Sequence, residues 1–70
     1  MKLDRYRLEY EIKSRGWKIK DFCEKTDINR SVFYKKLRGE SEFTLSEIQR
    51  ILDVLGLDSP MGIFFADKVS

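Results

Sequence analysis

Apolar residues fall along the chain in clusters spaced for helices. Leu8 and Ile12 stand four apart, with Leu3, Tyr6 and Tyr10 nearby and polar residues between, which predicts an amphipathic helix over residues 4–15 that Gly16 stops. Trp17, directly after the glycine, is expected to bury its indole and anchor the turn into the next element. Ile19, Phe22 and Cys23 recur at spacings of three and four, giving a short second helix over 18–25 that Thr26 and Asp27 break. Asn29 is placed to cap a third helix over 29–38, with Val32, Phe33 and Leu37 as its inward stripe and Gly39 as its end. After the connection 40–43, Thr44 and Glu47 stand at capping-box spacing. Leu45, Ile48, Ile51, Leu52 and Leu55 then form the most regular stripe in the chain, closed by Gly56. Ser59 offers a capping hydroxyl and Pro60 a first helical residue, so a fifth short helix is expected to carry Met61, Ile63, Phe64 and Phe65.

The pattern therefore predicts an all-α fold, a compact bundle of five helices in one domain spanning 1–70. Seventy residues suit one small core and not two. An apolar share of 41% with a single proline argues against disorder. No apolar run approaches the roughly 18 residues that span a bilayer, and the first residues are charged rather than signal-like, so a cytoplasmic protein is expected.

Chemistry narrows the field next. The single cysteine, Cys23, has no partner for a disulfide, and without any histidine there is neither a Cys/His nucleophile nor an ordinary zinc site. The usual general base at neutral pH is missing, and no pair of acids is singled out by spacing. The chain reads as a non-enzyme with no metal, no cofactor and no small-molecule ligand. Cys23 itself sits on an apolar helix edge, where a small core residue is the simplest role.

Charge is more informative than its total of +2. Residues 1–38 hold twelve Lys/Arg against six Asp/Glu, a net of +6, while residues 39–70 hold two against six, a net of −4. Such a split lets a positive face meet a polyanion while the acidic half points away. Within the basic half, the helices over 18–25 and 29–38 are separated by about three residues with Ile28 as a buried plug, the layout of a helix-turn-helix over about 18–38. Once Val32, Phe33 and Leu37 face inward, the second helix is left with Arg30, Ser31, Tyr34, Lys35 and Arg38 outward, a face without an acid. A helix of this kind fits the major groove with its N-terminal residues on base edges.

These residues resemble the Cro-like and phage-repressor-like helix-turn-helix regulators (the XRE type). The stretch 16–23 is similar to that family's glycine, apolar, polar, glutamine and apolar-small sequence, with Cys23 at the tightly packed alanine position. Residues 28–34 are similar to its turn and recognition helix, and 37–39 to the end of that helix. Residues 43–48 and 63–66 resemble a subgroup of very short phage and prophage regulators that consist of this domain alone. The resemblance implies a lambda-repressor-like DNA-binding domain acting on double-stranded operator DNA as a homodimer. It places Asn29, Arg30, Ser31, Tyr34 and Lys35 at base-reading positions and Lys18, Lys20 and Arg38 near phosphates. Two positions depart from the pattern: Ile19 stands where glutamine is frequent, and Asp27 where the turn usually has glycine. Ile63, Phe64 and Phe65 are either core or a dimer surface on this reading.

The function expected is a sequence-specific transcriptional regulator of Cro-like, phage or prophage type, a repressor that occupies a promoter operator. The alternatives are a protein-interaction module, antirepressor or antitoxin-like, presenting 63–65 to another protein, and an excision accessory factor that shares the DNA binding.

Overall fold

A computed structural model describes residues 2–60 and 62–65, the side chains of Lys2 and Phe65 excepted. The order of elements is β1 (Lys2–Leu3), α1 (Arg5–Lys13), α2 (Ile19–Thr26), α3 (Arg30–Leu37), α4 (Leu45–Leu55) and β2 (Phe64–Phe65). The fold is all-helical in character, with four helices among the described residues where the sequence pattern predicts five.

Three helices begin on side-chain caps of their own sequence. The Asp4 carboxylate accepts from the Arg7 amide, Asn29 Oδ1 accepts from the Ser31 and Val32 amides, and the Thr44 hydroxyl accepts from the Glu47 amide. Glu47 returns the bond to the Thr44 amide at 2.8 Å, completing the capping box expected there.

All four helices end the same way. In α1 the Gly16 amide donates to the Lys13 carbonyl and the Trp17 amide to that of Ile12; in α3 Gly39 and Glu40 reach Lys36 and Lys35; in α4 Gly56 and Leu57 reach Asp53 and Leu52. This is the paired bonding of a Schellman motif, which needs one residue in the left-handed region. In α2 that residue is Asp27, at φ 58° and ψ 40°, with its amide on Glu24 and the Ile28 amide on Cys23. The departure at Asp27 thus leaves the turn geometry intact, and an aspartate occupies a conformation that glycine fills in the other three helices.

Leu8 and Ile12 of α1, Phe22 and Cys23 of α2, Phe33 and Leu37 of α3, and Ile48, Ile51, Leu52 and Leu55 of α4 share one core with the plug residue Ile28. Aromatic rings tie it together edge to face, from Phe22 to Phe33 to Phe43 to Phe64, with centroids 5.7 to 5.9 Å apart.

Three expectations about single side chains are corrected. Leu45 is 80% exposed: side chains on a helix tilt toward its N-terminus, so an apolar residue in the first position points past the end of the bundle. Val32 is 39% exposed, because Phe33 and Leu37 alone fix the inward direction of α3 and Val32 lies about 120° around the helix from their mean. Trp17 is only half-buried, stacking on Phe22 with the Lys25 ammonium 4.9 Å from its ring centroid.

The expected fifth helix is the largest difference. Residues 64–65 form a strand antiparallel to β1, with Phe65 opposite Lys2 and Phe64 opposite Leu3. The Ile63 and Phe64 amides both donate to the Pro60 carbonyl, which makes a single turn, and Gly62 at φ 103° takes the chain out of helical geometry before a second can form. β-branched and aromatic residues favour a strand once a partner backbone is present, and β1 supplies it. The Asp4 amide extends the pairing to the Ile63 carbonyl at 2.7 Å. Met61, assigned to the same helix, lies outside the described residues.

Candidate nucleic-acid interface

The turn between α2 and α3 is held from three sides. Below it, Ile28 is buried in the core. At the end of α2, the Thr26 hydroxyl donates to the Phe22 carbonyl within the core, and Arg50, reaching across from α4, donates one nitrogen to the carbonyls of Thr26 (3.0 Å) and Asp27 (3.2 Å). A cation placed on the last carbonyls of a helix also complements its dipole. At the start of α3, the Asn29 oxygen closes the first turn. These bonds tie the end of α2 and the turn to α4 and close the first turn of α3.

A second set fixes α3 against α4. The Lys36 ammonium pairs with the Glu47 carboxylate, both side chains largely buried. The same carboxylate oxygen also holds the Thr44 amide, so one acid caps α4 and anchors α3. Burial opposes the ionised form of Glu47, yet the Lys36 bond and the Thr44 amide together bring its pKa below the usual carboxylate value.

On this rigid support α3 turns Arg30, Ser31, Tyr34, Lys35 and Arg38 to solvent. Arg30 and Lys35 make no ion pair with another described residue. Tyr34 keeps its ring against Phe33 at 6.3 Å while two-fifths of its surface stays exposed. Asn29 is exposed as well, but its side-chain oxygen is committed to the cap, leaving only the amide NH₂ to meet a ligand. On α2, Lys20 is exposed, and Lys18 precedes the helix with its amide bonded to Asp21.

Two features of this face escape the sequence reading. Arg38 is engaged by Glu40, Nε to Oε2 at 2.7 Å, so an acid from the following turn leans onto one end of a face whose own residues include none. The guanidinium lowers the pKa of Glu40 below its ordinary value. The close spacing of Arg38 and Glu40 is the signal that could have shown the pair in advance. Arg50, by contrast, carried no signal: its partners are backbone carbonyls more than twenty residues away.

Ile63 and Phe64, for which the sequence leaves core and dimer surface open, are 2% and 1% exposed and belong to the core. The Phe65 side chain lies outside the described residues. Between α2 and the start of α3 lies an open cleft of about 610 Å³ lined by Lys20, Cys23, Glu24, Asp27, Ile28, Asn29 and Arg30. Cys23 forms part of its floor, and burial raises the pKa of the thiol against a smaller opposing pull from Arg30. Among the described residues, no three His, Cys, Asp or Glu side chains gather around a possible metal position, and no helix is long and apolar enough to cross a membrane.

Comparison with curated proteins gives no match, and comparison with solved structures gives none. The sequence pattern of the Cro/C1-type helix-turn-helix DNA-binding domain does match, over residues 7–60, a span that takes in all four helices save the first two residues of α1. With its turn closed by Asp27 and Ile28 and its second helix presented to solvent, the chain belongs to the Cro/C1-type helix-turn-helix DNA-binding domains.

Proposed function

We propose that this DNA-binding domain is a sequence-specific transcriptional regulator of phage or prophage type, a repressor that occupies a promoter operator with α3 in the major groove. The observation that carries the reading is the outward side of α3: Arg30, Ser31 and Lys35 are exposed together on a helix held by Lys36 and capped by Asn29, behind a turn that Arg50 anchors to α4. The Arg30 guanidinium suits a guanine edge, and Ser31 and Lys35 stand one and five residues further along the helix to reach neighbouring positions. Tyr34 and the Asn29 amide flank them. Lys18, Lys20 and Arg38 neutralise phosphates on either side, which sets affinity and its salt dependence without reading sequence.

A homodimer on two half-sites about one helical turn apart fits a reader of this size. Its interface is sought outside Ile63 and Phe64, which the core already uses. The same burial weakens the reading of the chain as an antirepressor or antitoxin-like module, since two of the three residues assigned to the partner surface are inside the fold.

Selection of bound sequences from a random duplex library tests the proposal, followed by titration of the winner and a scrambled control at two salt concentrations. A two-half-site consensus bound at least about a thousandfold tighter than the scramble is expected. Weak binding, indifferent to sequence and lost with salt, would overturn it.

A further inference from the structure

Val32 is the one aliphatic side chain that α3 leaves substantially exposed, and it stands among the polar residues of the outward face. On a helix advancing about 100° per residue, Lys35 points directly away from the direction set by Phe33 and Leu37. Ser31 lies about 40° to one side of Lys35 and Val32 about 60° to the other. Ser31 and Val32 both occupy the first turn of α3, the part of such a helix that enters the groove deepest, and the amides of both are pinned by Asn29 Oδ1 at 2.8 and 3.3 Å. Its 39% exposure contrasts with complete burial of the adjacent Phe33. Scattered exposed apolar residues are ordinary on protein surfaces, and exposure alone would say nothing. Position adds the rest: the exposed part of the valine lies beside Ser31 and Lys35, on the face that a ligand of α3 would cover.

We propose that Val32 reads a thymine, its two methyl groups packing on the thymine 5-methyl in the major groove. The methyl is the apolar mark that distinguishes thymine in that groove, and an aliphatic side chain is its natural complement. A β-branched residue in a helix holds essentially one rotamer, so its methyls are presented with little entropy left to lose on binding. This specificity rests on the DNA-binding reading above and adds to it an apolar contact beside the polar ones of Arg30, Ser31 and Lys35.

The test uses the consensus obtained by selection. Each thymine is replaced in turn by deoxyuridine, which removes the 5-methyl and nothing else, and Kd is measured for the natural chain and for Val32→Ala. Alanine at an exposed helical site leaves the fold intact, which circular dichroism verifies on the same samples. The expected result is one thymine in each half-site at which deoxyuridine weakens the natural chain about threefold to fivefold, the scale of one buried methyl. Val32→Ala should bind the unmodified site with a similar loss and be indifferent to the replacement there. If every deoxyuridine penalty is the same for both proteins, or there is none, Val32 reads no thymine while the regulator reading stands. Failure of the selection to yield any consensus would overturn both.

Discussion

Arg50 and Asp27 meet across the fold, the guanidinium of α4 donating to the carbonyl of the residue whose left-handed backbone makes the helix-turn-helix turn. Removing this guanidinium withdraws a charged donor from two carbonyls at once, and one of them, at Thr26, is partly buried. Arg50→Ala is therefore expected to lower unfolding stability by about 1–3 kcal/mol, read as a shift in the urea midpoint. The two carbonyls lie at the end of α2 and in the turn that leads into α3, so DNA affinity is expected to fall further than the change in folded population explains. A loss below about 0.5 kcal/mol would mean that water replaces the guanidinium without cost.

Asp27 itself invites the opposite change. Three of the four Schellman turns use glycine, and Asp27 alone carries a Cβ in the left-handed region. Asp27→Gly relieves that strain at the expense of a more flexible unfolded chain, and the balance is expected to favour the folded state by about 0.5–1 kcal/mol. The Asp27 carbonyl remains to accept from Arg50. Destabilisation on thermal melting would show that the aspartate side chain contributes more than its backbone conformation costs.

Phe64 separates a core role from a surface one. Its ring sits edge to face on Phe43 and is all but inaccessible. Phe64→Ala is expected to cost about 3–5 kcal/mol, enough to leave much of so small a domain unfolded near 37 °C. A variant that stays folded and merely changes its sedimentation behaviour would return Phe64 to a dimer surface.

How legible these features are in the sequence follows from how local their causes are. The caps at Asn29 and Thr44, the glycine stops, the plug Ile28 and the stripe from Ile48 to Leu55 depend on neighbours within a turn or two, and each stands where periodicity and capping place it. The strand pair of Leu3 with Phe64 does not: it joins the two ends of the chain, and neither segment is long enough to show an alternating pattern alone. Val32 departs from the stripe because Phe33 and Leu37 suffice to fill the inward face of α3. Arg50 is silent in the sequence because a backbone carbonyl carries no side-chain identity to pair with.

Acid should loosen the corner where α1 meets the end of α4. Glu11, largely buried in α1, accepts from Arg15 Nη1 at 2.7 Å and Arg7 Nε at 2.8 Å, while Arg15 Nη2 donates to the Leu55 carbonyl at 2.7 Å. The Arg15 bond is the chief reason its pKa is lowered, outweighing burial, with Arg7 assisting. A carboxylate whose folded pKa lies below its unfolded one stabilises fully above the unfolded value near 4.5, and that stabilisation disappears as pH falls through the folded value. Stability from Glu11 is thus expected to be constant from neutrality to about pH 5 and to decline below it. Glu11→Gln should be less stable at pH 7 and show a shallower acid limb in urea midpoints measured against pH. An acid limb unchanged by the substitution would assign the decline to other carboxylates.

Glu40 bears most directly on DNA. Its carboxylate holds Arg38, and Lys35 also contributes to the field that keeps it ionised. The pair is exposed, so it adds little to folding, and Glu40→Gln should leave the melting temperature essentially unchanged. On DNA the same carboxylate competes with phosphate for the guanidinium and places a negative charge at the edge of the basic face. Removing the charge is expected to tighten binding about twofold to tenfold at low salt and to steepen the dependence of log K on log salt by up to about one unit, as one further phosphate becomes neutralised. The gain should shrink as salt rises, because screening weakens the repulsion that the substitution removes. Titration of Glu40→Gln and the natural chain on one duplex at several salt concentrations reads both quantities. Identical affinities and slopes would place Arg38 outside the phosphate track, and the reading face of α3 would then end at Lys35.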